Sequence, residues 1–196
     1  PEILFSYMAI IKGGILIIAF RKNWKSLYYA SWGLTWLIFS GWYTVDYSDD
    51  KHLVLALSFL SIFFATFYLM FLAYKLIQKE QLGRGDVLIL LANSFIFYGL
   101  GYDIVEWTES GEQLLGLFTL GNALIHFGVS VVIYRQQLAD RNLFFLVSGL
   151  VLVFITLAIP VQLEGSWVTI LWATEAALLF WIGRTKQVRV YESLSY

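Results

Sequence analysis

The sequence predicts an all-α fold, a polytopic transmembrane bundle of about seven helices, and three observations carry that expectation. Of the 196 residues, 59% are hydrophobic and 14% are charged. Soluble domains run near 45–50% and about 25%, so too few charges are present to cover a water-facing surface. The apolar residues fall into seven runs close to the roughly 20 residues that cross a hydrocarbon core of about 30 Å. Several of these runs, such as 143–160, are apolar on every face. That pattern excludes the other lipid-compatible architecture, a β-barrel of alternating strands near ten residues each.

The elements follow in order. Residues 3–20 form the first run, and the cations Arg21, Lys22 and Lys25 come after it rather than before, which is the reverse of a secretory signal peptide. The second and third runs cover 26–45 and 53–74. The fourth, 87–105, is closed early by Asp103 and Glu106, and spans with Asp103 in the headgroup layer. The fifth covers 114–134, and Gly121 and Gly128 within it predict a small-residue stripe that another backbone can approach. The sixth, 142–162, carries Pro160 near its end, where the ring frees a backbone acceptor and bends the helix. The seventh covers 166–183. Connections of about four to twelve residues leave no room for a soluble domain, so residues 1–196 read as one transmembrane domain.

Charge placement sets the orientation. With alternating connections, Arg21, Lys22, Lys25, Lys75, Lys79, Arg84, Arg135, Arg141, Arg184, Lys186 and Arg189 share one side, and Lys51 stands alone on the other. Lys and Arg are retained in the cytoplasm during insertion, which puts the N-terminus outside and the C-terminus inside. The acids lean outward: Glu2, Asp46, Asp49, Asp50, Asp103, Glu106, Glu109, Glu112 and Glu164, against Glu80, Asp86, Asp140 and Glu192. Trp24, Tyr28, Tyr29, Tyr74 and Tyr134 near the inner boundary, and Trp42, Tyr43, Tyr98, Tyr102, Trp107 and Trp167 near the outer one, read as interfacial anchors.

Ionisable groups at membrane depth are costly and mark candidate sites. Glu175 is central in the last run and Lys12 in the first, about 13 Å along the helix from Arg21, too far for its stem to snorkel comfortably. Asn122 and His126 stand four apart on one face of the fifth run, and Asn93 lies in the fourth. All five fall within about 5 Å of the midplane, which predicts one polar cluster in which Lys12 or His126 partners Glu175. Beside it stand blander readings: Glu175, Asn93 and Asn122 as interhelical glue, Lys12 bonded to backbone carbonyls beside Gly13 and Gly14, and His126 as a packed core residue.

Other chemistry is excluded or unsupported. The chain has no Cys and two His, which removes disulfides, thiol chemistry and Cys-based zinc sites and leaves too few ligands for a metal cage. A net charge of −1 offers no nucleic-acid footprint. Gly99-Leu100-Gly101 lies inside an apolar helix, so it reads as packing rather than a phosphate loop. No cofactor and no catalytic residue is expected. A retinal pigment needs a lysine midway along the last helix, and Glu175 occupies that depth.

The segment Phe154-Ile155-Thr156-Leu157-Ala158-Ile159-Pro160, then Gly165-Ser166-Trp167 and Leu171-Trp172-Ala173-Thr174-Glu175-Ala176-Ala177-Leu178-Leu179 with Gly183-Arg184, resembles the bacterial multi-pass family catalogued as domain of unknown function 2339. Phe97-Tyr98-Gly99-Leu100-Gly101-Tyr102-Asp103, Leu4-Phe5-Ser6-Tyr7 and Lys22-Asn23-Trp24 are also similar to it. The resemblance implies a bacterial inner-membrane location. It also implies that these residues, which begin with Pro1 and close on Tyr191-Glu192-Ser193-Leu194-Ser195-Tyr196, are part of a longer chain. It brings no activity or site residues.

Three functions follow. The first is handling of a small solute, ion or lipid-linked molecule at a midplane polar site. The second is a structural or assembly role in the envelope. The third, ranked last, is an intramembrane acyltransferase with His126 as general base and Asn122 orienting it. The bilayer is the one partner the composition requires; the oligomeric state is left open.

Overall fold

The computed structural model describes residues 1–22, 24–77, 82–108, 110–136, 141–163, 165–187 and 189–195. Asn23, Lys79, Glu80, Glu109, Asp140 and Glu164, counted above, lie outside the described residues, as do the side chains of Arg141, Lys186 and Arg189. The elements are α1 (Glu2–Arg21), α2 (Lys25–Asp46), α3 (Asp49–Leu76), α4 (Arg84–Glu106), α5 (Gly111–Gln136), α6 (Arg141–Gln162), α7 (Ser166–Lys186) and a short α8 (Arg189–Leu194). Each expected span is a helix, displaced by no more than a few residues at either end.

Six of these helices are long and apolar enough to cross a membrane: α1, α3, α4, α5, α6 and α7. At 22 residues α2 is long enough, about 33 Å. Its hydropathy is lowered by Tyr28, Tyr29, Trp32, Trp36 and Tyr43, whose polar tips are bonded within the bundle, as described below.

The chain divides into two compact units, Pro1–Glu109 with Val132–Leu146, and Ser110–Val131 with Val147–Tyr196. In the first, α1 buries Phe5, Met8, Lys12, Leu16 and Ala19, a set at helical spacing that forms one face. Phe5 is the hub of an aromatic core, with its ring 4.9 Å from Trp42 in an edge contact, 5.5 Å from Phe39 and 6.1 Å from Phe63. Phe64 stacks on Phe97 at 4.2 Å and ties α3 to α4. Such ring pairs contribute about 0.5–1.5 kcal/mol beyond the area they bury.

In the second unit, α5 turns Leu115, Thr119, Ala123, His126 and Ser130 inward. Ser130 and Ser148 meet at 3.2 Å, and the His126 ring lies parallel to Phe154 with centroids 5.4 Å apart, so α5 packs on α6. The backbone turns at Gln187, which adopts the left-handed conformation at φ 55. The chain then folds α8 against the last turn of α7, so close that a Cβ on Gly183 would stand 2.7 Å from the Glu192 amide nitrogen. Gly183, and not the predicted pair Gly121 and Gly128, is therefore where a backbone approaches. A Cβ at either Gly121 or Gly128 would meet nothing within 4 Å.

Candidate functional site

The first unit holds three sets of polar contacts between α2 and α4, both of which run away from the Lys25–Arg84 end. Tyr29 Oη donates to Asp86 Oδ1 at 3.0 Å, Trp32 Nε1 and Trp36 Nε1 both donate to Asn93 Oδ1 at 3.1 Å, and Tyr43 Oη donates to Asp103 Oδ2 at 2.5 Å. Tyr29, Trp36 and Tyr43 recur every seven residues, two helical turns, which keeps them on one stripe of α2. Asn93 is 2% exposed and also donates Nδ2 to the Phe64 carbonyl at 3.3 Å. Two indole donors fix its amide oxygen toward α2, because an amide nitrogen cannot accept them. Of the candidates read from the sequence, Asn93 is thus the most fully bonded.

Asp86 closes the Lys25–Arg84 end. Its Oδ2 takes Lys75 Nζ at 2.5 Å and the Gly83 amide at 2.8 Å, so one carboxylate caps α4 and pairs with a lysine on α3 that is 3% exposed. The charge count had left Lys75 and Asp86 as loop charges. Several expected anchors belong to this interior as well: Tyr28 is 3% exposed and donates to the Phe67 carbonyl at 3.2 Å, and Tyr74 and Trp42 are buried. Trp24, Tyr134, Trp107 and Trp167 stay exposed, as anchors should.

Lys12 is also in this unit, 9% exposed, with Nζ 5.0 Å from the centroid of the Phe63 ring. Among the described residues its amine finds no hydrogen-bond acceptor, so the expected bonding to carbonyls beside Gly13 and Gly14 is not made. The cation–π contact offsets part of its desolvation.

The other three candidates lie in the second unit. Asn122 donates Nδ2 to the Phe118 carbonyl one turn back at 2.9 Å, while its buried Oδ1 receives no donor among the described residues. His126, one turn further on, is fully buried against Phe154. Glu175 is half-buried, and its Oε1 accepts the Thr156 hydroxyl at 2.5 Å. Pro160 explains why α6 offers a second bond at the same residue. It lacks the N–H that would bind the carbonyl four residues back, which belongs to Thr156, and Trp172 Nε1 donates to that carbonyl at 3.3 Å. Pro160, Thr156, Trp172 and Glu175 therefore form one latch between α6 and α7. The sequence exposed Pro160 and Glu175. The missed signal for Thr156 was its position four residues before a proline within a helix.

Several long apolar helices, some of them joined by bonds between polar side chains, define a multi-pass α-helical membrane protein. The model of the family described as Predicted membrane protein (DUF2339) matches residues 1–195, and the chain belongs to that family. No curated protein and no solved structure matches it.

Proposed function

We propose that this chain is a structural or assembly element of the bacterial inner membrane, with its N-terminus outside and its intramembrane polar residues fixing helix pairing. The observation that carries the reading is Asn93, whose oxygen and amide are occupied by Trp32, Trp36 and the Phe64 carbonyl. A side chain spent on three neighbours has little left to offer a solute. Glu175 accepts a bond from the Thr156 hydroxyl on Oε1. The eleven-to-one distribution of Lys and Arg supports the orientation.

Handling of a solute or ion ranks second. Lys12, with a buried amine and no acceptor among the described residues, is the observation in its favour. The acyltransferase reading loses ground because His126 is 0% exposed, and a general base must come within hydrogen-bond reach of a substrate hydroxyl.

The test uses Asn93→Leu, Thr156→Val and Glu175→Gln in the protein in its native membrane, with growth phenotype and detergent melting measured on each. The structural reading expects loss of phenotype to follow loss of thermal stability across the set. Glu175→Gln with unchanged melting and abolished phenotype would favour solute handling.

A further inference from the structure

We infer that the second unit carries a binding site for one hydrocarbon tail of a bilayer glycerolipid, in a cleft between α5 and α6. The inference is independent of the assembly role. The cleft has a volume of about 450 Å³ and, among the described residues, no charged residue in its lining. Its polarity is graded. Gln113 and Gln162 line it where α5 begins and α6 ends, and beyond them the walls, including Leu120 and Ile155, are apolar. From Gln113 to Leu120 it descends about 10 Å along the helix.

A ligand matching this gradient has neutral polar atoms at the helix ends and hydrocarbon below, as the ester region and tail of a glycerolipid do. Glutamine amides both donate and accept, which suits ester carbonyls and hydroxyls. The glycine in the floor is required by the shape: a Cβ on Gly116 would stand 1.9 Å from Gln162 Oε1, so the Gln162 amide is seated on the bare backbone. Binding sites for small molecules share this form, an apolar cleft with a few placed polar groups. Because these helices are apolar enough to cross a membrane, the medium that reaches the cleft is itself lipid.

The test places the full chain in nanodiscs of phosphatidylethanolamine and phosphatidylglycerol containing a phosphatidylglycerol with a photoactivatable tail, and maps adducts by mass spectrometry. Adducts are expected at Leu120 and Ile155 above the density at Leu178 and Phe180, which lie exposed on α7. Ala158→Phe, which fills the cleft, should reduce the Leu120 and Ile155 adducts about tenfold and leave those on α7 unchanged. Leu120→Phe, checked by melting temperature, supplies a second blocked variant if the first fails to fold. Equal adduct density on the cleft and on α7, or cleft adducts unchanged in a folded blocked variant, would overturn the inference. So would a disulfide between copies formed through Leu120→Cys, which would put a second copy in the cleft.

Discussion

Replacing Asn93 with leucine removes three interhelical bonds and keeps the branched shape and the number of side-chain heavy atoms. Interhelical bonds in membranes average about 0.6 kcal/mol, so three are worth about 2 kcal/mol. The Trp36 indole, 3% exposed, is left without an acceptor, and an orphaned buried donor costs about 1–3 kcal/mol, the same range reached independently. For a chain of this size 1 kcal/mol moves the melting temperature by roughly 2–4 °C, so Asn93→Leu should melt about 4–8 °C lower. The decisive version is a double-mutant cycle in detergent with Trp36→Phe. The single variants should share a coupling of at least about 0.6 kcal/mol, since either one already breaks the bond. Additivity within about 0.3 kcal/mol would refute the reasoning, as would Asn93→Leu melting like the parent chain.

Four further outcomes are expected. Trp172→Phe should cost about 1 kcal/mol in the parent chain and much less in a Pro160→Ala background, where the new amide takes the Thr156 carbonyl; equal costs in both backgrounds would discard the latch. Asp86→Asn should destabilise by about 3 kcal/mol because it removes the charge that pairs with Lys75 in the interior, and Lys75→Met added to it should recover most of that loss in the same melts. Gln187→Gly should stabilise by roughly 0.5–1 kcal/mol at its left-handed position, whereas Gly183→Ala should loosen α8, read as faster amide exchange in 189–195. Since the chain has no native Cys, Lys51→Cys should react with an impermeant thiol reagent on intact cells and Lys22→Cys only after permeabilisation; the reverse would invert the topology.

The helices were legible because runs of apolar residues near 20 long can do little else in lipid. That Lys12, Asn93, Asn122, His126 and Glu175 lie within long helices was legible from the apolar runs, but their partners were not. Sequence spacing fixes which face a residue occupies and leaves open which helix stands opposite. Asn93 drew its partners from α2 and α3, and both donors in α2 were tryptophans, a residue type that reads equally well as an interfacial anchor. Lys75 and Asp86 sit in the end turns of their helices, where a charge count assigns them to water; the fold instead buries them against each other. The Gly121–Gly128 spacing was misleading because it marks where a backbone is able to approach without supplying one, whereas α8 does supply one at Gly183.

Water access to the polar residues tests the central claim most directly. Single cysteines at positions 93 and 175, with position 51 as the exposed control, are to be labelled in native membranes with a small water-soluble methanethiosulfonate. The account predicts rapid reaction at 51 and none at 93 or 175, because those side chains face other helices or lipid. Reaction at 93 or 175 from one side of the membrane, at a rate near that of 51, would reveal an aqueous path to the midplane and contradict it.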